Sequence, residues 1–198
     1  MIRSTTTPRR RAGALVSLLA VVGTLGTAAP AQAAPGTGAP LTCRGQGVDP
    51  TAKARHRAEI LITAPLHRVW DLQTDVEAWP TWQRPAAPMT VERLDHGPLR
   101  TRSRFRATVA LPTSPPAAIV ITSTVRQLQH GRCLRWTGPA DGPGFHVDGV
   151  HVWTFVPVAG GVLVRTEETH TGPQADEDSD LGLDTWLADL KAAAEKPC

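Results

Sequence analysis

The chain has 198 residues, of which 41% are hydrophobic and 20% charged, and its formal net charge is +3. The first 33 positions hold four arginines and no acid, so the remainder carries 17 Lys+Arg against 18 Asp+Glu, a net charge of about −1. The basic balance belongs to the leader, and nucleic-acid binding loses its electrostatic footprint.

Residues 1–33 combine a basic start (Arg3, Arg9, Arg10, Arg11), an apolar run over 14–29 and the small-x-small triplet Ala31-Gln32-Ala33. That order describes a secretory signal peptide cleaved after Ala33. The run is broken by Gly23 and Gly26 and falls short of the ~20 residues a membrane span needs. No later run could cross a bilayer, so a secreted, soluble product of about 165 residues, one domain in size, is expected. Residues 34–53 are rich in Pro, Gly, Ala and Thr and read as a flexible N-terminal segment. The domain proper is expected over 54–198.

The elements follow in order. A strand over 54–63 ends in Ile60-Leu61-Ile62, and Pro65 opens a helix over 66–72 with Val69 and Trp70 facing in. A second short helix, 75–79, is cut by Pro80, and 82–88 is a loop. Period-two patterns then predict strands over 89–95, 99–111, 118–129, 132–137, 145–156 and 162–171. The turns between them fall at His96-Gly97-Pro98, at His130-Gly131, across the Gly/Pro run 138–144 and at Ala159-Gly160-Gly161. In the strand over 99–111 the even-numbered arginines 100–106 share one face, which reads as solvated. The last element is a helix over 180–195. Its stripe Leu183, Trp186, Leu187, Leu190 and Ala194 must be buried, and the acids at 176–180 sit where they would cap its N-terminus. One strand, two helices, about six strands and a long helix make an α+β domain with an antiparallel sheet of about seven strands curved around its C-terminal helix.

Three cysteines, Cys43, Cys133 and Cys198, allow three different single bridges. Cys43–Cys198 is favoured, because it would tie down both ends of the exported chain and stabilise it by about 3–5 kcal/mol, leaving Cys133 free. No Cys/His spacing suits zinc, the acidic run lacks EF-hand spacing, and Gly160-Gly161 lacks a phosphate-loop context. No metal or cofactor is therefore expected. Gly-x-Ser-x-Gly is absent, so nucleophilic catalysis has little support.

The stretch from Ile62-Thr63-Ala64-Pro65 through Val69-Trp70-Asp71-Leu72, followed by Thr74-Asp75 and Trp79-Pro80-x-Trp82, resembles the opening of the SRPBCC (START-like) superfamily of polyketide cyclase/dehydrase and lipid-transport type. Leu134-x-Trp136-x-Gly138, His151-x-Trp153-x-Phe155-x-Pro157, Gly160-Gly161, Glu167-Glu168 and Leu187-x-x-Leu190-Lys191 extend the resemblance over about 57–195. It implies a helix-grip fold with an apolar cavity between the sheet and the last helix. The export signal is a departure from the common intracellular member of this group.

On that fold, Trp70, Phe105, Trp136, Trp153, Phe155, Thr166, Trp186 and Leu190 are the candidate ligand-binding residues, each weighed against plain core packing. Glu168, His170 and His151 are the only catalytic candidates, since a buried carboxylate beside imidazoles could be a tuned acid/base set. A one-residue slip would put Glu167 inside instead. The expected function is a secreted, non-enzymatic protein binding a small hydrophobic molecule (lipid, polyketide or aromatic metabolite). The alternatives are a cyclase/aromatase-like enzyme and a cell-surface structural or interaction protein whose cavity is filled by its own side chains. The sequence sets no oligomeric state.

Overall fold

The computed structural model describes residues 39–84 and 88–197. The expected export signal (1–33) and Cys198 lie outside the described residues. Seven strands form one antiparallel sheet in the order β1-β7-β6-β5-β4-β3-β2. They are β1 (Ala54–Ile62), β2 (Met89–Arg93), β3 (Arg104–Leu111), β4 (Ala117–Gln129), β5 (Cys133–Gly142), β6 (Phe145–Val158) and β7 (Gly161–Thr171). The helices are α1 (Leu66–Thr74), a 3-10 turn (Val76–Ala78) running into α2 (Trp79–Trp82), and α3 (Leu183–Ala194). Short turns join β2 through β7 as neighbours. Only β1 crosses over, pairing with β7 from Ala54↔His170 to Ile62↔Val162. This is the expected helix-grip arrangement.

The buried core lies between the sheet's concave face and the helices. It takes Phe105 from β3, Val125 from β4, Leu134 and Trp136 from β5, Trp153 and Phe155 from β6, Val162 and Val164 from β7, and the α3 stripe Leu183, Leu187, Leu190 and Ala194. Period two along the strands and steps of three and four along α3 put these side chains together. Several local expectations differ from the structure. Helix α3 starts at Leu183, after Gly182 in the left-handed region (φ 69), and its N-cap makes no side-chain hydrogen bond. Asp180 instead accepts from the Gly182 N–H at 2.8 Å and stabilises the turn before the helix.

The run 138–144, expected as a turn, is mostly strand: β5 continues to Gly142 and pairs with β6 through Gly138↔Gly149 and Pro139↔Asp148. The glycines serve close approach here. A Cβ at Gly138 would overlap the Thr122 carbonyl of β4. In the arginine strand, the chain does not become regular until Arg104, and Arg102 sits in a turn at φ 76.

The larger correction concerns the N-terminal segment and the cysteines. Residues 41–48, expected as part of a flexible segment, form a strap across the convex face of the sheet. Leu41, Cys43 and Val48 pack with Cys133 and Val152 into a second small core. Cys43 is bonded to Cys133, with Cα atoms 5.4 Å apart, so neither the Cys43–Cys198 pairing nor a free Cys133 holds. Closing both ends was reasonable on entropy alone, but Cys133 opens β5 on the convex face, where the strap crosses it. The strap is also held by Glu167, 1% exposed, which accepts from the Leu41 N–H at 2.6 Å and from Arg55 Nε at 2.7 Å.

Two outcomes test this packing. Replacing Cys43 and Cys133 by serine, which opens a closed loop of 90-residue separation, is expected to destabilise the fold by about 2–5 kcal/mol in urea denaturation. Gly138→Ala is expected to cost about 1–3 kcal/mol in the same assay, since β4 must shift to admit the methyl group. A Gly138→Ala protein as stable as the parent would mean that β4 and β5 do not approach so closely.

Candidate functional site

The pleat and the registers of β5, β6, β7 and β1 build the site. Trp136 of β5 lies opposite His151 of β6, His151 opposite Glu168 of β7, and Glu168 opposite His56 of β1. One row across the concave face therefore reads Trp136, His151, Glu168, His56. The next row brings Leu134, Trp153, Thr166 and Ala58 together. His170 follows Glu168 by two positions on the same face, in line with Gly149. A Cβ on Gly149 would stand 3.2 Å from the Gly138 carbonyl of β5 and in ordinary contact, 3.6 Å, with the His170 ring.

The aromatic residues meet at the centre. Trp186 of α3 lies 4.9 Å from Trp79, 5.3 Å from Trp153 and 6.4 Å from Trp136, ring centre to ring centre. Trp79 also reaches Phe105 at 5.4 Å and Trp136 at 5.8 Å. Most of these pairs are tilted or edge-on, the arrangement the ring quadrupole prefers. Much of the space expected as an oily hollow is thus taken by aromatic side chains. Two indoles in this cluster, Trp153 and Trp186, are buried at Nε1 with no hydrogen-bond acceptor among the described residues, and on α1 the side-chain amide of Gln73 is likewise unpaired. Buried donors almost always find a partner, and these N–H groups are donors that a bound acceptor could satisfy.

A polar cluster borders the aromatics. His151, buried among Trp136, Trp153 and Trp186, has Nε2 2.6 Å from the Thr166 hydroxyl and Nδ1 3.4 Å from Glu168. The carboxylate favours the proton on Nδ1, which leaves Nε2 to accept from Thr166. On the other side of Glu168, His170 Nε2 is 3.2 Å away, and His56 reaches Asp184 at the start of α3 at 3.2 Å. Burial pushes the His151 imidazole below its ordinary value of 6.5, and the positive potential of His170 adds to this, although Glu168 opposes it. Burial alone would raise the Glu168 carboxyl, but His151 and His170 beside it, with His56 beyond, hold it below 4.5. The set is a carboxylate among imidazoles, with the buried imidazole kept neutral. Among the described residues, no three His, Cys, Asp or Glu side chains converge to hold a metal.

The structure divides the sequence-expected ligand residues in two. Phe105, Trp136, Trp153, Thr166, Trp186 and Leu190 surround the central cluster and its buried border. Trp70 and Phe155, rings 5.2 Å apart, lie toward the other end of the sheet, where they line an open cavity of about 720 Å³. The catalytic candidates His151, Glu168 and His170 do come together. The alternative Glu167 points to the opposite face and is used by the strap. Sequence reasoning left out Trp79, which sits in the middle of the aromatic cluster, and His56 and Asp184, which extend the polar one. Trp79 carried its signal in the Trp79-Pro80-x-Trp82 motif. His56 carried none, because nothing local shows that β1 lies beside β7.

Among curated proteins, none matches the chain. Solved structures share its fold at low identity. Protein CV1439 from Chromobacterium violaceum superposes with a TM-score of 0.60 at 21% identity, over 72% of this chain and 98% of that one. The di-domain ARO/CYC StfQ from the steffimycin biosynthetic pathway gives 0.55 at 21% identity, over 71% of this chain and 44% of that one. Ara h 8.0201 gives 0.52 at 13% identity, over 71% and 94%. The family model described as polyketide cyclase/dehydrase and lipid transport matches residues 53–195, from the start of β1 to the end of α3, and the chain belongs to that family.

Proposed function

We propose that this chain is an exported binding protein for a small hydrophobic molecule that carries a hydrogen-bond acceptor, held between the sheet and α3 against the tryptophan cluster. The unpartnered indole N–H groups of Trp153 and Trp186 carry this reading. A buried donor without an acceptor costs about 1–3 kcal/mol, and a carbonyl or phenol oxygen placed at the cluster would offset that while its apolar body gains from burial. Trp186 is only partly buried and belongs to α3, so it is the wall that yields when a ligand enters. Family membership supports a hydrophobic-ligand role, and the leader composition of residues 1–33 supports export.

The test compares 2-acetylnaphthalene with 2-ethylnaphthalene by quenching of tryptophan fluorescence. The two differ chiefly in one carbonyl. The ketone is expected to bind about fivefold more tightly, the value of one hydrogen bond, and Trp153→Phe is expected to remove the difference while keeping the ring. Failure of both compounds to bind would favour the reading in which the cavity is filled for structural ends.

The Glu168 cluster favours a second reading, a cyclase-like acid/base role. Glu168→Gln would then abolish turnover of a polyketide-type substrate without weakening its binding; equal loss of both would argue against it. The cluster also makes stability depend on pH. The folded state resists protonating His151, so acidification below about 6.5 lets only the unfolded chain take up that proton, and stability falls. Glu168 adds a second loss as pH drops below 4.5. The expected slope from His151 is at most about 1.4 kcal/mol per pH unit. Urea denaturation from pH 7 to 5 should show a shallower slope for His151→Gln.

A further inference from the structure

We propose that the open cavity at the α1 end of the sheet is a second binding site, separate from the tryptophan cluster, and that it takes a small amphipathic carboxylate: an acid with a single apolar tail. The cavity holds about 720 Å³, within the range of small-molecule sites. Phe155 stands four residues along β6 from His151, about 13 Å at strand rise, so the site is remote from the polar cluster. Its base is apolar: Leu66 and Trp70 from α1 stand beside Phe155 of β6 on the concave side, and Val156, which points to the convex face that the strap crosses, continues the lining. Val156 is 40% exposed, an open apolar surface at the edge of the cavity.

The rim has one sign of charge. Arg44 and Arg132 line it, together with His67 and His130, and no Asp or Glu does. The His130 ring lies against Trp70 at 5.3 Å, which ties rim to floor. Among the described residues, neither the Arg44 nor the Arg132 guanidinium has a carboxylate partner. An apolar floor under two permanent, unpaired cations is complementary to a molecule with an apolar body and one anionic end. The planar guanidinium fork matches a carboxylate.

Arg44 reaches this rim at a local cost. It occupies φ 51 and Gly45 φ 78 in the two-residue turn closed by Cys43 N–H to the Gln46 carbonyl at 2.9 Å and the reverse bond at 3.1 Å. Both central residues of such a turn need positive φ, and Asn, Asp or Gly fit there better than Arg. The turn is fixed by the bond from Cys43 to Cys133, and Cys133 itself lines the cavity. The strap therefore brings an arginine, in a conformation that disfavours it, to the edge of an apolar cavity. A locally unfavourable residue held in place by a covalent bond is an observation that points to use.

The experiment titrates dodecanoate into the full chain by calorimetry, with dodecanol as the uncharged comparison. Dodecanoate is expected to bind at least about tenfold more tightly than dodecanol, as charge-assisted hydrogen bonds require. The double variant Arg44→Gly, Arg132→Gln should bring dodecanoate down to the level of dodecanol. Arg44→Gly alone should keep or raise the melting temperature, since glycine suits φ 51, so a weakened complex cannot be put down to a damaged fold. Trp153→Phe should leave dodecanoate binding unchanged. Absence of dodecanoate binding, undiminished binding by the double variant, or loss of binding in Trp153→Phe would each overturn the proposal.

Discussion

The antiparallel pairing of β1 with β7 is the contact on which the rest depends. It joins residues a hundred or more positions apart, from Ala54↔His170 to Ile62↔Val162. Such long-range pairing orders a large loop before any contact rewards it. Once made, it does three things. It carries α1 and the N-terminal strap to opposite faces of one sheet. It gives α3 a strand to lie on: Lys191 Nζ donates to the Leu61 carbonyl at 2.8 Å, and Glu195 accepts from the Thr63 N–H at 2.6 Å. It also sets His56 beside Glu168, completing the polar row.

Adjacent carboxylates on β7 show how a strand serves two sites. Glu167 and Glu168 point to opposite faces because the side-chain period is two. Glu167 is buried under the strap, where Arg55 and the Leu41 N–H satisfy its oxygens. Glu168 faces the concave side, where imidazoles take that part. The first arrangement is a closed structural clasp of a carboxylate, a guanidinium and a backbone N–H. The second rests on imidazole nitrogens in place of a guanidinium. A one-residue shift of β7 would turn each carboxylate to the other face, so the pair also fixes register.

What could be read from the sequence was what local periodicity encodes. The alternation in β3, β6 and β7 and the stripe on α3 announced their buried faces, and the inward set His151, Trp153, Phe155, Thr166 and Glu168 followed. Closely approaching backbones were not legible. Gly138 and Gly142 look like turn residues until it is known that β4 lies against them. The disulfide was hidden for a similar reason: Cys43 finds Cys133 only because the strap crosses the start of β5 on the convex face, a tertiary fact with no local sign. The strap itself looked like linker because three apolar anchors, Leu41, Cys43 and Val48, are too few to form a periodic pattern.

The filling of the centre also follows from side-chain size, which a pattern of apolar and polar letters does not record. A curved seven-strand sheet leaves more volume than one helix of aliphatic residues can occupy. In this chain the difference is made up by tryptophans from four elements, Trp79 from α2, Trp136 from β5, Trp153 from β6 and Trp186 from α3, which interlock at tilted angles and, between Trp79 and Trp186, edge to face. Rings of that size pack well against one another but cannot reach the corner between α1 and the β4–β5 turn. There Trp70 and Phe155 form a wall with open space in front of it. The aromatic residues that close the middle of the grip thus leave its free volume at one end, beside the strap that the disulfide holds in place.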